Sequence, residues 1–439
     1  MINSWTIHGN SRLYKTYNYH ELIELSSINF IQLLMKMKLG IIPIISLLLV
    51  SCSESKFISS DYSQFALEVP PVSRARPIAV DSSHYSIVET IPLSLSEDVG
   101  GVAGMPLFSK NRIYMLDARR ENVLAFDAKG KFLYKIGGKG HARNELVGTI
   151  RTFDVDHNTG AVHVYDRSGH KILIFDGKGG FVKSVRLSQC LPSSICLASA
   201  GERYIASCDC MSTKDGNTKL VIIDAGGNVV STIMEISETN NITSEGVNTI
   251  PLYSNHGESV VYLPMLSDSL IVLSGDTVSH VVKLDFSDGF ISQSVMEKSK
   301  QEGQTPSEGK VMFITKAMVN DNLACVEFMG KPEGELFSSN YTYVYNRKRN
   351  EAYFQRGSMG FSKMLGSVCS IEKDCFVVLI TDDNVLEVER HFERGIQQNP
   401  SSQRLSSIED FAHKLYREPS ADAITRKMQV PLLVKIKMK

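Results

Sequence analysis

A block of sequence recurs along this chain with a spacing of 49 residues, and this repeat limits the possible folds more than any other feature. The first copy runs from Ile113 to Phe132 and the second from Val162 to Phe181, and a shorter third copy begins at Leu220. The matched pairs in the first two copies are Asp117 and Asp166, Phe126 and Phe175, Asp127 and Asp176, Gly130 and Gly179, and Phe132 and Phe181.

Each copy has the pattern of a small antiparallel sheet. Alternating apolar residues such as Ile113 and Met115 indicate strands, and no helical periodicity accompanies them. The Asp-x-x-Gly element is typical of a tight turn, in which Asp caps backbone amides and Gly permits a positive φ. This succession of strands and turns, repeated about every 49 residues, predicts that each copy forms one four-stranded blade of a propeller. The predicted turn residues are Asp127, Gly130, Asp176, Gly179, Asp224 and Gly227.

Less regular copies continue to the end of the chain, so residues 78–439 are predicted to form one all-β, six-bladed propeller of four-stranded antiparallel blades. Strands from both chain ends are expected to pair in one blade, because this pairing removes a free sheet edge. A short helical insertion is predicted at about 391–428, before the last strand, because Ser406–Glu409 resembles a capping box and apolar residues follow at helical spacing.

The N-terminal part has the pattern of a targeting segment. Lys36 and Lys38 precede a twelve-residue apolar stretch that ends at Val50, and this length fits a secretory signal rather than a membrane span. The stretch ends in Leu-Val-Ser-Cys, which resembles the bacterial lipobox, with Cys52 as the acceptor of the diacylglyceryl group. The predicted segments are an upstream extension at 1–36 (with Met35 or Met37 as the true start), a lipoprotein signal peptide at 37–51 and a lipidated tether at 52–77.

These features predict an outer-membrane lipoprotein that faces the periplasm or the cell surface. Two acyl chains on Cys52 give stable anchoring, so the lipid bilayer is the first expected partner. The formal net charge of −1 lacks the positive excess of nucleic-acid-binding proteins, and no nucleic-acid partner is expected. Trp5 is the only Trp and precedes Cys52, which argues against Trp-based glycan binding in the mature chain and leaves Tyr-based sites open.

Histidines and repeated carboxylates are the candidates for metal binding or catalysis. His157, His163 and His170 fall in one blade, but no His-x-His or His-Glu-x-x-His spacing accompanies them. A residue that recurs in successive blades, such as Asp127, serves the blade, whereas a catalytic pair would break the repeat. No catalytic residue and no cofactor are therefore predicted, and a calcium or zinc ion in the central channel is the alternative.

Seven cysteines follow Cys52, and an odd number leaves at least one thiol unpaired in an oxidising compartment. Cys369 and Cys375 flank a polar turn and are the candidate disulfide, whereas buried reduced thiols are the other interpretation. Cys208 and Cys210 have no partner pair that would complete a zinc site.

With these features together, the chain resembles the six-bladed, NHL-like or TolB-like propeller lipoproteins of Bacteroidetes. The resemblance covers about 80–439 and rests on Thr90–Leu93, the units at 113–132 and 162–181, and Pro431–Val434. The usual Gly-x-Gly-Pro-Gly-Glu segment is replaced by Gly138–Glu145, which lacks the Pro-Gly turn. The resemblance implies an architecture and a location, but no reaction chemistry.

The sequence therefore predicts a monomeric, membrane-tethered propeller that acts without catalysis as a binding or scaffold module for a protein, peptide or glycan. The alternative is a metal-dependent propeller hydrolase or lyase, similar to lactonases, with its site in the central channel. A stoichiometric channel metal would distinguish the enzyme from the binding module.

Overall fold

The regular structure of the described part of the chain consists of β-strands, 27 in all. The structure is a computed structural model and describes residues 56–57, 66–68, 76–77, 85–97, 99, 101–198, 203–208, 218–236, 252–255, 257–264, 267–286, 302, 311–330, 339–356, 368–380 and 431–439. The predicted signal peptide, Cys52 and the predicted helical insertion at 391–428 lie outside these residues. Within the described residues, no helix has the length and hydrophobicity needed to cross a membrane.

The first three blades are antiparallel meanders that run from an inner to an outer strand. Blade 1 contains β5 (Val102–Ser109), β6 (Arg112–Asp117), β7 (Asn122–Asp127) and β8 (Phe132–Gly137). Blade 2 contains β9 (Ile150–Val155), β10 (Val162–Asp166), β11 (Lys171–Phe175) and β12 (Phe181–Arg186). Blade 3 contains β13 (Ser194–Leu197), β14 (Tyr204–Cys208), β15 (Thr218–Ile223) and β16 (Val229–Ile236).

The next two blades keep this order although their sequences have diverged from the repeat. Blade 4 contains β17 (Leu252–Asn255), β18 (Ser259–Tyr262), β19 (Ser269–Ser274) and β20 (Thr277–Lys283). Blade 5 contains β21 (Val311–Val319), β22 (Leu323–Gly330), β23 (Ser339–Asn346) and β24 (Glu351–Arg356).

Blade 6 joins the two ends of the ring. It contains β25 (Val368–Glu372), β26 (Cys375–Ile380), β27 (Leu432–Met438) and β4 (Tyr85–Pro92), in that order. β27 and β4 pair antiparallel, with Leu432 opposite Pro92 and Met438 opposite Tyr85. The six inner strands contact one another in a closed cycle that runs from β5 through β25 and back to β5. The predicted six-bladed propeller and its closure by both chain ends are therefore confirmed.

Three short strands in the segment 52–77, predicted as a tether, add to the outer edges of three consecutive blades. β1 (Lys56–Phe57) pairs antiparallel with β16 of blade 3. β2 (Ala66–Glu68) pairs parallel with β20 of blade 4, and β3 (Arg76–Pro77) pairs parallel with β24 of blade 5. These three blades therefore have five strands where the sequence predicted four.

Strand alternation divides the core into six clusters, one at each seam between adjacent blades. In β7, Val123 and Ala125 pack toward blade 2, whereas Leu124 and Phe126 pack toward blade 6. Both faces of the strand are thus buried, and each fully buried Leu or Phe contributes about 1.5–3 kcal/mol to folding. This burial holds the inner turns of the blades in fixed positions.

Candidate functional site

The inner turns of the blades surround one mouth of the central channel. Each blade is a meander of four antiparallel strands that starts at the channel and ends at the outer edge. Since four is an even number, the chain enters every blade from the same end of the ring, and all inner strands run in the same direction. The turn that follows each inner strand therefore lies at the same end of the channel, which we call the turn mouth. Its described segments are 110–111, 156–161, 257–258, 320–322 and 373–374.

Hydrogen bonds between neighbouring blades hold the turn mouth in place. In each bond, a side chain of one inner turn or strand end donates to a backbone carbonyl of the next blade. The bonds are Lys110 Nζ to Asn158 O, Asn255 Nδ2 to Val319 O at 3.5 Å, and Asn320 Nδ2 to Lys373 O at 2.9 Å. A rim fixed in this way loses little conformational entropy when a partner binds.

His157 connects two turns that belong to non-adjacent blades. A Cβ at Gly257 of blade 4 would lie 2.3 Å from Cδ2 of His157 in blade 2, so the imidazole packs directly on this glycine. Burial lowers the pKa of His157, and the nearby Asp156 carboxylate opposes that shift. The ring is therefore predominantly neutral at pH 7.

A small pocket lies immediately below the turn mouth. About 230 Å³ of space there holds no protein atoms, part of it open to solvent, and it is lined mainly by the ends of inner strands from blades 4, 5 and 6. Met105, from the inner strand of blade 1, reaches this pocket and packs against the cores of blades 4, 5 and 6. A cavity needs roughly 10–15 Å³ of space for the centre of one water molecule, and the enclosed part of this pocket is no larger than that. The enclosed part is therefore too small for a whole small substrate.

The polar side chains of β9 are used to bind the next blade. Arg151 Nε donates to Ser193 O at 3.0 Å, and Thr152 Oγ1 bonds both the carbonyl and the N–H of Ile195 at 3.2 Å. One oxygen of Asp154 accepts the Leu197 N–H at 2.8 Å. These bonds join the inner strands of blades 2 and 3, so Asp154 serves the ring structure.

Asp154 is nevertheless a buried carboxylate whose pKa is shifted upward. Its side chain is only 3% exposed, and burial raises its pKa to about 6. The Leu197 and Val155 N–H groups, which donate to the carboxylate, act in the opposite direction. Burial therefore outweighs these contacts, and the charge state of Asp154 changes near neutral pH.

The three histidines that the sequence groups in blade 2 point to different places. His157 lies at the turn mouth, and His170 adopts a positive φ of 51° in the β10–β11 turn. His163 is buried, and its Nδ1 lies 3.0 Å from the hydroxyl of Tyr204 in blade 3. Burial lowers the pKa of His163 to about 4. In the described ranges, no three His, Cys, Asp or Glu side chains come together as a metal-holding group.

The predicted Asp-x-x-Gly turns join the third and fourth strands of their blades, on the outer side of the turn mouth. In blade 2 this turn touches the turn mouth, since a Cβ at Gly177 would lie 3.2 Å from Gly160 O. Asp127 Oδ1 accepts the N–H groups of Lys129 and Lys131, each at 2.9 Å. Asp176 and Asp224 make the same pair of bonds in blades 2 and 3. Backbone N–H donors, chiefly those of Gly180 and Asn228, lower the pKa values of these two carboxyls.

Glycines in the same turns contact the preceding blade. Gly130, Gly179 and Gly227 have φ values of 83°, 88° and 89°, in the region that favours glycine. A Cβ at Gly227 would lie 2.1 Å from the carbonyl oxygen of Arg186 in blade 2. Each turn thus supplies both a cap within its own blade and a point of close contact between blades.

Blade 5 carries a stack of three aromatic rings on neighbouring strands. Tyr341 and Phe354 stack at 5.3 Å with an interplanar angle of 16°, and Phe328 stacks on Tyr341 at 5.4 Å. Phe328 is buried, whereas the other two rings are partly exposed. This stack belongs to the seam between blades 4 and 5, where all three rings lie in or pack against the same apolar cluster.

Cys369 and Cys375, the candidate disulfide, are not brought together by the structure. Cys375 lies opposite Glu372, and the Cys369 thiol donates to Val377 O at 3.2 Å, so these two thiols do not face each other. Cys190 instead forms a thiol hydrogen bond with Cys208, which lowers the pKa of Cys190. Both sulfurs are reduced in the structure.

Comparison with known proteins gives a family and a fold. The family model for the domain of unknown function DUF4934 matches residues 87–410. No curated protein sequence matches the chain. Among solved structures, a protein from Bacteroides fragilis NCTC 9343 whose name describes it as exported is 14% identical with a TM-score of 0.55. That match covers 83% of this chain and 98% of the other.

A second solved structure is a member of the DUF4221 family from Bacteroides vulgatus ATCC 8482. It is 12% identical with a TM-score of 0.45, and the match covers 81% of this chain and 98% of that protein. At 14% identity, the Bacteroides fragilis match supports the fold only.

Proposed function

Since the chain belongs to the DUF4934 family, a domain of unknown function, we propose that it is a membrane-tethered, extracytoplasmic propeller that binds a protein, peptide or glycan partner at the turn mouth. The anchor is a lipid on Cys52, at the outer membrane, as in the propeller lipoproteins that the sequence resembles. The Bacteroides fragilis protein of similar fold is named as exported, and this supports a location outside the cytoplasm for the chain.

The observation that carries this proposal is the rigid polar rim above a pocket too small for a whole substrate. Side-chain bonds from one blade to the next fix the rim before any partner binds. The Met105 side chain reaches across the channel to this pocket. It fills space through which a small molecule would otherwise reach the inner strands. A surface of this kind contacts a partner through many groups and inserts at most one of them into the pocket.

Two lysines of the rim offer a direct test. Lys110 and Lys373 both adopt positive φ values, 47° and 54°, which Asn tolerates well. Lys373→Asn therefore removes a charge from the turn mouth while it preserves the backbone, whereas Lys110→Asn also removes the bond to Asn158 O that helps to hold the rim. Arg120→Asn is the matched control, because Arg120 has a φ of 56° in the β6–β7 turn, at the opposite end of its blade.

The experiment screens the purified protein against defined peptide and glycan arrays and then measures the Kd of the best ligand by calorimetry. Each lysine variant should weaken binding about tenfold, equivalent to about 1.4 kcal/mol, while Arg120→Asn binds as the parent does. Equal Kd values in all variants would exclude the turn mouth. Stoichiometric calcium or zinc that EDTA removes would favour the metal-dependent hydrolase or lyase.

A further inference from the structure

The predicted lipid anchor is separated from the ring by very little chain. β1 pairs with the outer strand of blade 3, with Lys56 opposite Glu235 and Phe57 opposite Met234. Only three residues lie between Cys52 and Lys56. An extended chain spans at most about 3.6 Å per residue, so the Cα atoms of Cys52 and Lys56 are no more than about 14 Å apart. A lipid on Cys52 is therefore attached close to the edge of blade 3.

The same N-terminal segment follows the outer edge of the ring from blade 3 onward. β2 pairs with blade 4, β3 pairs with blade 5, and β4 forms the outer strand of blade 6. The chain that follows Cys52 thus pairs in turn with blades 3, 4, 5 and 6. A force on the lipid would act on the outer edge of blade 3 first, because β1 is the pairing nearest to Cys52.

We propose that the outer edge of blade 3 rests on the bilayer surface, with the ring standing on its edge and blade 6 farthest from the membrane. The inference rests on the proposed function, since it requires the lipid on Cys52. Blades 3 and 6 lie opposite each other in the six-membered ring. An edge-on ring leaves the turn mouth and the opposite mouth both open to partners.

Outer-strand residues of these two blades can report the distance to the membrane. Val230 on β16 of blade 3 is 51% exposed, and Val88 on β4 of blade 6 is 56% exposed. Trp5 is the only Trp and would be removed with the signal peptide, so Val230→Trp and Val88→Trp each create a single-Trp chain. Both substitutions are on exposed strand positions, where an aromatic ring is well tolerated.

The experiment places the acylated full-length protein in phosphatidylcholine vesicles with and without brominated acyl chains. Bromine quenches nearby Trp fluorescence, and it is confined to the hydrocarbon core of about 30 Å, so Val230→Trp should be quenched at least about twofold more than Val88→Trp. Equal quenching at the two positions of an acylated, vesicle-bound protein overturns the orientation alone. A protein that carries no acyl group overturns the lipoprotein proposal together with the orientation.

A second measurement uses the Val230→Trp variant alone and therefore does not require that the two Trp variants be equally well folded. A Gly-Ser spacer inserted between Ser55 and Lys56 lengthens the link from the lipid to β1 and should reduce quenching of Val230→Trp to the level of Val88→Trp. The same spacer between Glu68 and Arg76 lies beyond β1 and should leave the quenching unchanged. If the first spacer has no effect, the short link does not set the orientation.

Discussion

Gly130 of blade 1 lies against the carbonyl oxygen of Pro92, in the strand that closes the ring. A Cβ at position 130 would approach that oxygen to 2.1 Å, and the residue has a φ of 83°. The contact continues through the Ser94 N–H, which donates to Gly130 O at 2.9 Å. The repeated turn of the first blade thus forms part of the seam with the last blade.

Gly130→Ala should therefore destabilise the ring. The positive φ and the contact with backbone, which cannot rotate away, predict a loss of about 2–4 kcal/mol in the free energy of unfolding. Gly226→Ala is the control, because a Cβ there meets only side chains, at 3.2 Å. Urea unfolding followed by circular dichroism measures both variants, and similar losses in the two would show that the Pro92 contact is unimportant.

The turn carboxylates should make stability depend on acidic pH. Backbone N–H donors hold the pKa values of Asp176 and Asp224 below 3.8 in the folded chain, so their contribution is present above that pH and is lost as pH falls through the lowered values. Asp176→Asn should have a lower unfolding midpoint than the parent at pH 6, and the gap should narrow below pH 3.8. A gap that stays constant with pH would contradict the electrostatic origin of the cap.

Asp154 should have the opposite effect on the pH dependence of stability. Its folded pKa of about 6 exceeds the ordinary value of 3.8, so between these pH values the folded chain holds a proton that the unfolded chain has released. Stability should consequently fall as pH rises through this window, by up to about 3 kcal/mol. Asp154→Asn should remove this fall in urea unfolding measured from pH 4 to pH 7.

Thr152→Val is the matched control for Asp154, because Thr152 bonds the same neighbouring strand and does not titrate. It should lower stability by about 1–3 kcal/mol at every pH, since it leaves buried backbone groups of Ile195 without a partner. A pH slope that persists in Asp154→Asn would assign the effect to another group.

Cys190 and Cys208 should form a disulfide in an oxidising compartment. Their thiols are hydrogen-bonded, and the lowered pKa of Cys190 increases the fraction of reactive thiolate. Oxidised glutathione should accept the two electrons and both thiol protons, and it leaves as two molecules of reduced glutathione. Maleimide labelling of the unfolded protein, after oxidation in the native state, should then show two fewer reactive thiols.

Cys190→Ser should abolish that loss of labelling, whereas Cys325→Ser, which alters a buried thiol in blade 5, should not change it. Full labelling of the parent after oxidation would mean that the two sulfurs do not reach bonding geometry.

Both the blade and the number of blades could be predicted from the repeat in the sequence. Asp127, Gly130 and the strands on either side are neighbours along the chain, so their turn chemistry and alternation are visible without a structure. The closing pair β27 and β4 was also predictable, because an open ring would leave exposed edges at both chain ends. The NHL-like relationship, the lipid on Cys52 and the partner remain predictions.

The residues that meet across the seams between blades, and the place where a site can lie, depend on the folded ring. The contacts of Asp154 with Leu197 and of Gly130 with Pro92 join residues about 40 apart in sequence, and no local pattern specifies such pairs. Met105 looks like any other strand residue until the ring places it across the channel. β1, β2 and β3 are two or three residues long, too short to show a period, and they exist because the outer edges of blades 3, 4 and 5 offer unpaired backbone groups.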